Sequence, residues 1–243
     1  MTRLRLRSTL ASSVSSPQEK TSTGVRLDGR RLSKSQQTGS SPESLRRPFR
    51  ARRPETKTDL RVLDFDIETR LVGFAEFGPF KPKGMEPITV ACSWSGSGVV
   101  DSILIGQSQD IPHMMEWFLE FWEKADAVTG HYIWNFDLPV LNGALMEWHV
   151  GPLLSPKLVI DTKRHHRKVG GISLSQENLG IYHRLDRQKY HMADADWRRS
   201  TRLTPGGQRK SRIRAEHDVL QHDQLRLEMH REGMLKPWEM WKH

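Results

Sequence analysis

The sequence predicts an α/β fold, a mixed β-sheet flanked by helices, carried by residues 58–243 behind a basic N-terminal tail. The first sign is VLDFDIETR at 62–70, where apolar and acidic side chains alternate with the two-residue period of a strand. ITVACSWSG and VVDSILIG follow as β-branched runs joined through SGSG, the pattern of a hairpin or meander. Helix-period and strand-like segments then alternate, and strands followed by such alternation make a mixed sheet with helices on its faces.

Only 36% of the 243 residues are hydrophobic, low for a chain packed throughout. The deficit lies at the start. Residues 1–58 carry 14 Lys/Arg against 4 Asp/Glu and few aliphatic side chains. Such a segment buries too little apolar surface to offset the entropy of ordering, so residues 1–57 are expected to be disordered. The opening MTRLRLRSTLASSVSSP has the composition of a mitochondrial transit peptide. A tail that lightly holds nucleic acid, or a wrongly chosen start codon, fits it equally well. The main expectation for location is the cytoplasm of a bacterial or phage-infected cell, with mitochondrial targeting the minor alternative. No apolar run is long enough for a membrane span. The single cysteine, Cys92, excludes an intramolecular disulfide framework and a Cys-based zinc site, which suits a reducing compartment.

Element by element, a strand at about 60–68 leads into GFAEFGPFKPKGMEP, too broken by Gly and Pro for regular structure. After the two β-branched runs, IPHMMEWFLEFWEKA sets Ile111, Met114, Met115, Phe118, Leu119 and Trp122 at helical spacing, with Pro112 in the first turn. DAVTGHYIW is a strand, FDLPVLNGALMEWH a helix, LVIDTK a strand and SLSQENLGIYH a helix. WRRSTRLTPGGQRKSRIR is expected to be a flexible basic loop. SRIRAEHDVLQHDQLRLEMHRE is a last long helix ending at Gly233, with Ile213, Leu220 and Leu227 on its apolar stripe.

The acidic face of the first strand needs an explanation. Leu63, Phe65 and Ile67 share one side, and Asp64, Asp66 and Glu68 share the other. Carboxylates in a partly buried site take up protons unless a hard cation such as magnesium or manganese keeps them ionised. An amphipathic edge strand with a solvated acidic side is the alternative. Three more segments set carboxylates beside apolar runs: Asp137 in GHYIWNFDLPVL, Asp161 in VIDTK, and Asp218 and Asp223 in AEHDVLQHDQL.

FDIET at 65–69, GHYIWNFDLPVL at 130–141 and AEHDV at 215–219 resemble the three motifs of the DEDD 3′-5′ exonucleases. This is a family of ribonuclease H-like fold, and the likeness is to its phage-type members and to the editing domains of family B DNA polymerases. It covers roughly residues 59–238, and the third motif is weaker than the first two. It implies a site for two Mg2+ or Mn2+ ions, with Asp66 bridging them, Glu68 and Asp218 completing one position, and Asp137 holding the other, partly through water. Asp64 is not a motif position and is expected to be a solvated or structural neighbour. By the same resemblance Thr69, Arg70 and Leu71 grip a 3′-terminal nucleotide, while Asn135 and Phe136 match the second motif and Phe136 either stacks on a base or fills core.

Two positions depart from the family. The water-orienting Tyr four residues before the last Asp is Arg214 here, and the His of the sister branch, five before it, is Ile213. Arg214 is read as a candidate ligand for the scissile phosphate, and His217 and His222 as surface histidines. Tyr132 stands where relatives often carry Asn.

Charge also points to a polyanion. Residues 59–156 carry 5 basic and 14 acidic side chains, while residues 157–214 carry 15 and 5. Lys163, Arg164, Arg167 and Lys168 follow the strand that ends at Asp161 and are read as phosphate contacts. His165 and His166 lack partners at zinc spacing. Nothing encodes base readout. The expected partner is therefore a single-stranded 3′ end, DNA favoured over RNA, and the expected activity is metal-dependent 3′-5′ exonuclease action. A binding module without turnover and an exoribonuclease are the alternatives.

Overall fold

A computed structural model describes residues 60–72, 82 and 84–242. The basic tail at 1–57 and most of the Gly/Pro-rich loop lie outside the described residues. That loop ends earlier than expected, because its last residues open a strand at Met85.

The strands are β1 (Val62–Leu71), β2 (Met85–Trp94), β3 (Val100–Leu104), β4 (Ala127–Gly130), β5 (Lys157–Asp161) and β6 (Glu239–Trp241). They form one mixed sheet in the order β3-β2-β1-β4-β5-β6. β1 pairs antiparallel with β2 and parallel with β4, while β5 runs parallel to β4 and antiparallel to β6. The helices are α1 (Ile111–Lys124), α2 (Asp137–Glu147), α3 (Thr162–His165), α4 (Gln176–Tyr182), α5 (Asp194–Thr201) and α6 (Pro205–Arg231).

Alternation along β1 sorts the two faces. Leu63, Phe65 and Ile67 join the main core with Met114, Phe118 and Trp122 of α1 and Leu138 and Leu141 of α2. Phe65 lies 5.4 Å from Phe118 and 6.5 Å from Trp122 between ring centroids. Each such buried side chain contributes about 1.5–3 kcal/mol. The opposite face receives α6 through small residues: Ala91 packs with Ala215 and Val219, and Thr89 Oγ1 donates to Ser211 Oγ at 3.1 Å. Small side chains bring helix and sheet close, so carboxylates from each can reach the other.

Three local expectations are corrected. The expected basic loop forms α5 and the first turns of α6, because Thr204 caps the helix by accepting from Gly207 N and Pro205 takes its first position. The expected stripe of α6 is misplaced, with Ile213 and Leu227 exposed and Ser211, Ala215, Asp218, Val219, His222, Leu225 and Met229 buried instead. A polar burial pattern of this kind has no apolar periodicity to read. β6 was not expected; its Trp241 is buried edge-on to Trp122, 6.0 Å away.

The start of α6 crosses α5 at Gly207, where a Cβ would lie 2.2 Å from both Arg199 C and Ser200 N. Backbone cannot yield as a side chain does. Gly207→Ala is expected to lose about 2 kcal/mol of stability in urea unfolding; an unchanged midpoint would show that the crossing relaxes freely.

Candidate metal centre

Asp66 and Glu68 project from the centre of β1, and Asp218 faces them from α6. One carboxylate oxygen from each lies within 4.8 Å of the others. Asp137, the first residue of α2, approaches from the β4 side and accepts from the backbone N–H of Ile67 at 3.3 Å. Three acids from two elements thus cluster, and Asp137 from a third lies near enough to Asp66 to repel it.

Electrostatics there are adverse to charge. Desolvation, followed by repulsion from Asp218, Asp137 and Glu68, holds the Asp66 carboxyl well above the ordinary range. Burial lifts Glu68 to about 7 despite the Arg214 charge beside it. Burial likewise lifts Asp137 to about 8, against the hydrogen bond from Ile67. Buried Asp218 Oδ1 has no hydrogen-bond partner among the described residues.

Two cations partly offset the acids. Lys189 Nζ lies 3.1 Å from Asp218 Oδ2. Arg214 Nε lies 2.6 Å from Glu68 Oε1, and its Nη2 lies 3.6 Å from Asp218 Oδ2. Arg214 is also fixed from outside the acids, donating from Nη1 to Tyr190 O at 3.0 Å and lying 4.9 Å from the Trp197 ring centroid. Lys189 was missed in the sequence, because it precedes α5 in a stretch with no periodicity to single it out.

The donor set fits a hard divalent cation. Converging carboxylates, an unpartnered buried oxygen and raised proton affinities are what oxygen-only coordination relieves. Asp66, Glu68 and Asp218 form a group that could hold a metal ion, with Asp137 alongside.

The remaining expected residues are distributed differently. Register shifts between Glu68 and Thr69, where Ile88 of β2 has no partner on β1. Thr69 Oγ1 lies 3.8 Å from Met85 Sδ, and Met85 packs against the main core, so Thr69 does not join the acidic face. Arg70, expected at the terminal nucleotide, is instead paired with Glu86 and donates to Ser108. Leu71 is exposed at the strand end, Asn135 is exposed, and Phe136 packs on the core. Lys163 sits 3.8 Å from the Tyr132 ring centroid; Arg164 sits 4.2 Å from that of Trp134 and pairs with Glu239 at 2.9 Å. Arg214 is engaged by carboxylates rather than free for a phosphate.

Asp161 organises the loop before α2, accepting from Tyr132 N, Trp134 N and Arg164 N at 3.0–3.1 Å. Tyr132 has a φ of 73°, a left-handed conformation that Asn tolerates better than Tyr. One further expectation is corrected and another resolved. Asp64 takes the structural of its two expected roles, being fully buried, and His222 is no surface histidine: its Nδ1 lies 2.6 Å from Asp64 Oδ1. His217 is half-buried, 5.8 Å from the Tyr190 ring.

Among solved structures, the family B DNA polymerase from the hyperthermophilic archaeon Pyrobaculum calidifontis superposes on 70% of this chain with a TM-score of 0.51 and 18% sequence identity. The fold is ribonuclease H-like. The chain corresponds to only 24% of that polymerase's length. No protein-family model matches the sequence, and no curated protein does. Among the described residues no helix is long and apolar enough to cross a membrane.

Proposed function

We propose that this chain is a metal-dependent 3′-5′ exonuclease acting on single-stranded ends, with DNA favoured over RNA. The observation that carries the reading is the convergence of Asp66, Glu68 and Asp218, with Asp137 alongside, on a ribonuclease H-like sheet. The likeness to a DNA polymerase supports DNA as substrate.

Bound Mg2+ or Mn2+ supplies water activation and charge neutralisation at the phosphate. In hydrolysis, water oxygen bonds to phosphorus, the bond from phosphorus to the 3′ oxygen breaks, and that oxygen leaves with a proton, releasing a 5′-mononucleotide. Lys189, held against Asp218, adds a fixed positive charge where phosphate charge grows. Arg214 cannot accept a proton from water and acts through charge alone.

Arg214 favours one second reading, a binding module without turnover, because its ion pairs put fixed positive charge beside the acids where an ion is needed. A 3′-labelled oligonucleotide incubated with magnesium, manganese or chelator separates the two. Metal-dependent release of mononucleotides supports the exonuclease; tight binding without release supports the module. Parallel RNA and DNA strands decide the substrate.

Arg214 also yields a stability prediction. Arg214→Ala strips Glu68 of its nearest counter-ion and is expected to cost the metal-free protein about 2 kcal/mol. Saturating Mn2+ is expected to abolish most of that difference. Thermal melts with and without Mn2+ check it, and an equal loss in both conditions would mean that Arg214 serves packing instead.

A further inference from the structure

Side chains facing one another across β1 and α6 form a ladder. Asp64 meets His222 at 2.6 Å, Asp66 meets Asp218 within 4.8 Å, and Glu68 meets Arg214 at 2.6 Å. Each rung advances two residues along the strand and retreats four along the helix. Those steps nearly match, about 6.6 Å for the strand and about 6 Å for the helix. The middle rung joins like charges and pushes the elements apart, while the outer rungs join opposite charges or a hydrogen-bonded pair. One outer rung, Glu68 with Arg214, belongs to the acidic cluster itself. The other does not: Asp64 and His222 are both buried, and no group of the cluster bonds to either.

The geometry points to Asp64 and His222 as positioning residues, which lock the register of α6 against β1 and so hold Asp218 opposite Asp66 in a geometry ready for metal. An apolar pair of the same bulk would bury as well but would fix no register, because packing lacks the direction of a hydrogen bond. That is the physical reason for placing a buried polar pair here, where hydrophobic replacement is often neutral or favourable to stability. This inference rests on reading the acidic cluster as a metal centre.

The test measures Mn2+ binding by calorimetry and electron paramagnetic resonance on the full chain, alongside thermal melts. Asp64→Leu/His222→Leu is expected to keep a melting temperature near that of the parent while its Mn2+ affinity falls about tenfold, as happens when groups that orient metal ligands are removed. Asp64→Asn keeps an oxygen that accepts from His222 Nδ1 and is expected to bind Mn2+ within about twofold of the parent. If the apolar pair binds Mn2+ like the parent, or if Asp64→Asn loses as much affinity as the apolar pair, the inference is wrong; the second outcome would assign the effect to the charge of Asp64. Should the apolar pair fail to fold, Asp64→Asn alone still decides between direction and charge. A parent that binds no Mn2+ would instead overturn the reading of the cluster as a metal centre.

Discussion

Asp66→Ala is expected to cut metal-dependent release of nucleotides from a 3′ end by about a thousandfold, or about 4 kcal/mol of transition-state stabilisation, while the protein stays folded. Asp66 is the one acid that stands between Asp218, Glu68 and Asp137, and each of the three raises its proton affinity or shares its cluster. Its removal deletes the shared ligand, leaving acids that face one another without a common oxygen. The same deletion removes repulsion, and Asp66 groups with Glu68 and Asp218 while its neighbours Phe65 and Ile67 supply the core. Stability should therefore hold steady or rise. The measurement pairs a labelled-oligonucleotide assay with a thermal melt. Cleavage at the parental rate would place the active centre elsewhere. Lost cleavage with a collapsed melt would show that Asp66 serves the fold, contrary to its position on the α6 side.

The shared face of the β1 acids was legible because a strand has a period of two, although a solvated acidic edge fitted that stretch as well until the other motifs were added. Asp137 and Asp218 came from resemblance in the surrounding motifs, since no local pattern ties residues 71 and 152 positions downstream of Asp66 to it. What failed was everything decided by contacts across elements. Arg70 reads in sequence as a residue free to grip a nucleotide, and in three dimensions it is held by Glu86 of β2 and by Ser108, partners no local pattern reveals. His222 looks like any helix-surface histidine until Asp64 is placed against it. The buried face of α6 holds Ser211, Asp218 and His222, so hydropathy points to the wrong stripe and leaves Ile213 and Leu227 exposed. Lys189 sits before α5 and reaches Asp218 only because the chain folds back over the site. The sheet and its flanking helices, by contrast, follow from apolar periods that are local, and α1 is found where its Met, Phe and Trp spacing puts it.

Raising the pH from 6 to 8 is expected to strengthen Mn2+ binding by about a hundredfold, and to weaken the metal-free protein between pH 7 and 9. The unfolded chain releases the protons of Glu68 and Asp137 near their ordinary values of 4.5 and 3.8. In the fold, burial delays release to about 7 and about 8. Between those limits the folded state holds more protons, so stability falls as pH rises. The contribution is complete below about 4 and is lost as pH passes through 7 and 8. Below 7 the histidines oppose this: burial holds His131, His165 and His166 under their ordinary value, so the unfolded state takes up their protons first as pH drops. Above 7 they are spent and the acids dominate, with the Cys92 thiol, held well above its ordinary value by burial, adding in the same direction. From pH 7 to 9 the loss is about 2 kcal/mol, or about 5 °C in Tm, and Asp66 adds to it in the same direction. A cation bound by these carboxylates competes with the same protons, which is why its affinity climbs over the same range. Melts across pH 7–9 with chelator, and Mn2+ titrations at pH 6, 7 and 8 that record proton release, check both halves. Glu68→Gln/Asp137→Asn should make the metal-free profile shallower, since neither amide titrates while Asp66 still does. A metal-free Tm that rises from pH 7 to 9 would show that these acids are already ionised in the fold, and Mn2+ affinity that stays level from pH 6 to 8 would show that the ion binds somewhere else.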